Sequence, residues 1–186
     1  MLPAKRKWPM WKLPSLRQVE KGVHMMVMPA NASNATVHFL AGKHPGSVGW
    51  LIGPSSVKKT KMRRWMPYAL DNDAFQSFSK GVEWNEMAWD EMNEWASRQE
   101  FKPEWALVPD VVGDNCGTLE RWTKYNSIVS GHGFKTAFAV QDGMIESDVP
   151  IGVDVLFVGG TTEWKWATVE MWAKRFKRVH VGRVNS

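Results

Sequence analysis

At 186 residues, with 44% hydrophobic and 23% charged side chains, the chain can build one sizeable core and is too short for two ordinary domains. No apolar run approaches the roughly 20 residues of a membrane span, and Cys116, the single cysteine, excludes an internal disulfide and any multi-cysteine zinc cluster. A net charge of +5 favours a polyanionic partner.

The opening "MLPAKRKWPMWKLP" is basic through Lys5, Arg6, Lys7 and Lys12, and no signal-peptide core follows it. Residues 1–30 are read as a basic arm and residues 31–186 as one domain, with the cytoplasm as the expected compartment. From Ala35 onward, β-rich apolar runs alternate with segments of helical period. The runs "ATVHFLAG", "VGWLIG", "PYALD", "EWALVPD", "TAFAVQ", "VDVLFVGG" and "RVHVGRV" predict seven strands. After the second run, "SSVKKTKMRRWM" carries Lys58, Lys59, Lys61, Arg63 and Arg64, either as a solvated face or as phosphate contacts.

Three helices are predicted between the later strands. "VEWNEMAWDEMNEWASRQ" puts Trp84, Ala88, Met92 and Trp95 on one face. "TLERWTKYNSIVSG" does the same with Leu119, Trp122 and Val129, and Gly131 is the expected C-cap. "TEWKWATVEMWAKRF" uses Trp164, Ala167 and Met171, with its basic residues late, where the helix dipole favours them. Strand and helix alternating in this way call for a mostly parallel α/β sheet, as a barrel or as an open doubly wound sheet.

No GxGxxG and no P-loop pattern occurs. Polar groups instead stand where strands end: Asp71, Asp110, Gln141, Gly159 with Gly160, and Asn185. In a (β/α) barrel those exits converge on one face, so residues far apart in the chain become neighbours. Each residue also has a plainer reading. Asp71, Asp73, Asp110 and Asp114 suit caps and turns, Gln141 and Asp142 before Gly143 suit a turn, and "VGG" suits a tight bend. The five histidines show no metal-ligand spacing, Cys116 is expected inside a helix or the core, and most of the 12 tryptophans are expected to fill the core.

In order along the chain, the exit segments resemble the queuine tRNA-ribosyltransferase (tRNA-guanine transglycosylase) superfamily, above all its small phage-type relatives that insert 7-deazaguanines into DNA. "LDNDAFQSF" stands in place of the family's "TDSGGFQ", "VPDVVGD" of its acidic strand exit, "AVQDG" of its "VQGG", "FVGG" of its "VGG", and "VHVGRVNS" of its "MGVG". The likeness covers residues 67–186. It implies an incomplete TIM-type (β/α) barrel of about seven strands, with the eighth missing at the C-terminus.

The resemblance further implies a glycosyltransferase that replaces guanine in DNA with a free 7-deazaguanine base, without cofactor or metal. Asp71 would handle the proton. Asp110, Gln141, Gly159 and Gly160 would form the base pocket, with Asp73 beside it and Phe75 stacking near the base. Lys58, Lys59, Lys61, Arg63 and Arg64 would hold the nucleic acid, in a host cytoplasm if the chain is phage-encoded. Three departures accompany the likeness. The nucleophilic Asp of the eighth strand is missing, so that a truncated gene product, a partner protein supplying the strand, or binding without exchange are all open. Asn72 and Asp73 replace a small Ser-Gly pair beside the pocket. The zinc subdomain of the tRNA-modifying branch is absent, which favours DNA over tRNA. A catalytically silent nucleic-acid or base-binding protein and an N-glycoside hydrolase or nuclease using Asp71 and Asp110 are the rival functions.

Overall fold

The structure, a computed structural model, describes residues 25–30 and 32–183; the basic cluster Lys5–Lys12 and the exit residue Asn185 lie outside the described residues. Six strands, β1 (Trp50–Ile52), β2 (Tyr68–Leu70), β3 (Ala106–Leu107), β4 (Thr136–Val140), β5 (Val155–Val158) and β6 (Val179–Val181), lie side by side in sequence order. Every pairing is parallel. The sheet is curled, as part of a barrel. Around it run α1 (Asn34–Lys43), α2 (Pro54–Val57), α3 (Ala74–Ser79), α4 (Glu86–Ser97), α5 (Asn115–Gly131) and α6 (Thr162–Arg175). The link from β4 to β5 has only a 3-10 turn, Glu146–Asp148.

Six of the seven predicted strands form. The first, "ATVHFLAG", lies inside α1 instead, which leaves six strands where about seven were expected. Its β-branched residues suggest a strand, but Ser33 caps a helix by accepting the Thr36 N–H at 3.1 Å, and the buried Val37 and Ala41 are spaced four apart, on one helical face. On the free side of β1, residues 27–30 form isolated parallel bridges, Val27 with Val48 and Ala30 with Leu51. Pro29 is tolerated there because an edge needs no donor from it; its carbonyl accepts the Leu51 N–H.

Side chains alternate across the strands and make two cores. Trp50, Ile52, Tyr68, Leu70, Phe138, Val140, Leu156 and Val158 face the helices, meeting Trp89, Met92, Trp122, Val129 and Trp172. Leu51, Ala69, Leu107, Ala137, Ala139 and Val155 form the other core with Trp105. The alanines leave room for the Trp105 indole, whose ring lies 5.0 Å from that of His180 and 6.2 Å from that of Phe157. Burial there pushes the His180 imidazole down to about 4, so it is neutral at pH 7.

Two helical faces differ from expectation. α4 buries Trp89, Met92, Asn93 and Ala96, one step round from the predicted stripe. α6 buries Lys165 and Trp172, while Ala167 and Met171 are exposed. A lysine that is 2% exposed needs acceptors, and Lys165 donates from Nζ to the carbonyls of Gly182 at 2.7 Å and Arg183 at 2.8 Å. It clamps the end of β6. Lys165→Ala is expected to lower unfolding free energy by about 2–3 kcal/mol in denaturant titrations, because the buried Gly182 carbonyl and the part-buried Arg183 carbonyl lose their donor and a cavity opens.

Candidate functional site at the strand exits

The C-terminal ends of the strands gather most of the predicted site residues. The centre is Asp110, 8% exposed, just beyond β3. Its Oδ1 accepts from Asn72 Nδ2 at 2.8 Å and its Oδ2 from Gln141 Nε2 at 2.7 Å. Three neighbouring strand exits, those of β2, β3 and β4, are thereby tied together. Arg121, in the second turn of α5, donates to the Asp110 carbonyl at 2.6 Å and lays its guanidinium over the Trp84 ring at 4.6 Å. Burial raises the Asp110 pKa, against the lowering pull of the two amide donors and of Arg121.

Asn72 is the residue that the sequence presents as added bulk. It is 1% exposed and bonded on every side: Nδ2 also reaches the Val108 carbonyl, Oδ1 accepts the Ala74 N–H, and its carbonyl accepts from Trp84 Nε1. It fills the space between β2 and β3 as a clasp. Asp71, next to it, has its carboxyl pushed up to about 7, first by burial and then by the charges of Asp73 and Asp110, against the lowering N–H of Asn72. A carboxyl titrating there can both give and take a proton at neutral pH.

Asp73 serves a different helix from the one it precedes. It stands at the N-cap of α3 with φ 57°, makes no side-chain cap there, and accepts the Ser55 N–H of α2 at 2.7 Å. The close approach requires Gly53, where a Cβ would come within 2.2 Å of the Asp73 carboxylate. Gly160, φ 74°, is constrained in the same way: a Cβ would strike Asp142, which accepts from both the amide and the hydroxyl of Thr161 at 2.7 Å. Gly159 packs on the Val140 carbonyl and the Gln141 amide. Asp114 caps α5 through the Gly117 N–H, as its plainer reading expects. Gly131 is the last residue of α5 and His132 is its C-cap.

Arg183, directly after β6, completes the rim. Its guanidinium lies 3.4 Å over the Phe75 ring and donates to the Gly160 carbonyl at 3.1 Å. Phe75 is the exposed aromatic of this rim, whereas Trp50, Trp89, Trp105, Trp122 and Trp172 are buried in the cores. A cleft of about 310 Å³ opens beside the quartet of Asp71, Asp110, Gln141 and Gly160 rather than among them, lined by Ser55, Asn72, Asp73, Gln76, Lys80 and Trp84.

The five basic residues are exposed and do not join this rim as a group. Lys58 pairs with Glu91 at 3.7 Å, and Arg64 with Glu100, on the connection entering β3. Arg63 and Arg64 precede β2, at the end of the sheet opposite the carboxylates. Cys116 lies within α5, the helical one of its two expected placements, and is exposed there and not part of the core. Among the described residues no set of three or more His, Cys, Asp or Glu is placed to hold a metal ion, and no helix is long and apolar enough to cross a membrane. Compared with protein-family models, curated proteins and solved structures, the chain matches none.

Sequence reasoning missed Asn72, Arg121, Asp142 and Arg183 as members of the site. Arg183 obeys the strand-exit rule that selects Asp71 and Asp110; Arg121 and Asp142 act through contacts across the fold that no local pattern reports.

Asp71 binds its proton near pH 7 when folded and near 4 when unfolded, so between those values the native state holds the extra proton and stability falls as pH rises. His180 works oppositely between about 4 and 6.5, so the difference between variant and wild type isolates Asp71. Asp71→Asn is expected to gain up to about 4 kcal/mol relative to wild type on going from pH 4 to pH 8, read by thermal melts across that range.

Proposed function

We propose that this chain is an incomplete TIM-type barrel of the transglycosylase kind, exchanging guanine in DNA for a free 7-deazaguanine. The observation that carries the reading is Asp110, a buried carboxylate with an amide on each oxygen, set beside Asp71, whose carboxyl titrates near neutrality. In this reading Asp110 receives a base edge rich in N–H donors, and Gln141 and the Gly159–Gly160 backbone are the neighbouring polar groups. Phe75 is a part-exposed aromatic at the mouth, with the Arg183 guanidinium stacked on its ring. Base exchange also requires the target to leave its helical stack, and a polar rim flanked by an aromatic suits an extruded base.

In the proposed cycle a carboxylate attacks C1′ while the C1′–N9 bond to guanine breaks through an oxocarbenium-like state, and Asp71 protonates the departing ring nitrogen. The incoming base then returns its proton to Asp71 as its nitrogen attacks C1′ and the sugar ester breaks. The attacking carboxylate in this cycle comes from outside the described residues, either from a further part of the chain or from a partner protein. The proposed polymer is DNA, after the likeness of the strand-exit segments to the phage-type relatives.

A second reading, base or nucleic-acid binding without exchange, is favoured by the engagement of the other carboxylates of the rim. Asp73 is committed to Ser55 and Asp142 to Thr161, which leaves neither poised to attack a sugar.

Incubating DNA with labelled guanine, the protein and lysate distinguishes the two. Exchange is expected, and Asp71→Asn or Asp110→Asn should reduce it by about 100-fold or more. Unaffected exchange in both variants removes them from the chemistry. Salt-sensitive DNA binding with no incorporation under any pairing of proteins supports the second reading.

A further inference from the structure

We propose that the strand-entry end of the sheet, opposite the carboxylate rim, is a separate binding face for single-stranded nucleic acid, where Lys59, Lys61 and Arg63 hold phosphates and Trp65 stacks a base. The inference rests on the placement of charge and on the geometry of residues 58–66, and it stands whether or not the chain exchanges bases. The described segments that lead into the strands carry ten lysines and arginines, five of them from Lys58 to Arg64, against three acids, Glu100, Glu104 and Asp154. The segments that leave the strands carry five carboxylates, Asp71, Asp73, Asp110, Asp114 and Asp142, against one cation, Arg183. Opposite charges therefore gather at opposite ends of one sheet, and a polyanion is drawn to the entry end. Residues 1–24 add six cations and one acid, and they join the described chain at Met25, beside the entry end of β1, where Val27 bridges Val48.

The connection between α2 and β2 has no regular element, yet its backbone is fixed. Asn34 of α1 donates from Nδ2 to the Lys59 carbonyl at 2.9 Å and accepts the Lys61 N–H at 2.6 Å, and His38 Nε2 lies 2.9 Å from the Lys61 carbonyl. Val57 and Met66 anchor the two ends in the core. On this held backbone Lys59, Lys61 and Arg63 are exposed at alternate positions, and none of the three forms an ion pair among the described residues. Like charges fixed close together repel one another, and a row of phosphates relieves that repulsion. Trp65 follows directly, 56% exposed and part of neither core. Next to it, between the entries of β2 and β3, lies a hollow of about 170 Å³ lined by Met62, Arg63, Arg64, Gln99, Glu100 and Phe101. An acidic polypeptide would satisfy the cations and leave the indole in water, whereas an unpaired base brings a ring to it.

Anisotropy titration of a fluorescent oligothymidylate with the full chain tests the assignment. That oligonucleotide contains no guanine, so base exchange does not contribute to the signal. Wild type is expected to bind it with an affinity that falls as salt rises. Lys59→Gln, Lys61→Gln and Arg63→Gln combined should weaken binding by about ten-fold or more and lower the slope of log affinity against log salt by about 2. Trp65→Ala should weaken it by about ten-fold and leave that slope unchanged. All four side chains are exposed, so both variants are expected to melt at the wild-type temperature. The proposal is overturned by absence of binding in wild type, by wild-type affinity in either variant, by tighter binding of the matching duplex, or by equal binding of polyglutamate. Failure of the base-exchange reading is a separate result: no label enters DNA while oligothymidylate is still bound.

Discussion

The buried carboxylate of Asp110 is the interaction on which the rim depends. A charge taken out of water is costly unless donors replace the lost hydration, and here each oxygen receives an amide from a neighbouring strand exit. That requirement fixes Asn72 from β2 and Gln141 from β4 at the same time. Asn72 is then held further by the Val108 carbonyl, the Ala74 amide and the Trp84 indole, so a single polar cluster sets the spacing of three loops. Such a cluster is stable only when all of its members are present, and this one is nearly complete.

A second constraint acts on the far side, where β6 is the last described strand. Lys165 takes both carbonyls at the end of β6, and Arg183 is turned back over Phe75 toward Gly160. The two constraints meet through β5, because Gly159 packs against Gln141 and Gly160 carries the acceptor for Arg183. Two tight glycines, Gly53 and Gly160, let Asp73 and Asp142 cross to neighbouring loops, which spends those carboxylates on structure.

Much of the fold was legible because parallel strands buried on both faces read as short continuous apolar runs, and six of these are where the sequence places them. "ATVHFLAG" failed because period and β-branching are ambiguous over eight residues, and the deciding cap, Ser33, precedes the run. The face of α6 failed for another reason: Lys165 counts as polar in any pattern, yet its ammonium finds two carbonyl acceptors inside the protein. Asp73 stands where a cap belongs, but its partner is in a different helix, 18 residues away.

The sequence by itself determined the alternation of strand and helix, the run of polar residues at strand exits and the chemical types available there, since these follow from local periodicity and residue identity. Only the tertiary structure decided that Asp110 bonds Asn72 and Gln141, that Asp73 and Asp142 are committed elsewhere, and that Arg183 lies over Phe75 and bonds the Gly160 carbonyl. Those outcomes depend on which buried donors meet which acceptors across the sheet, a matching that packing imposes on residues up to 38 positions apart and that no local stretch of chain encodes.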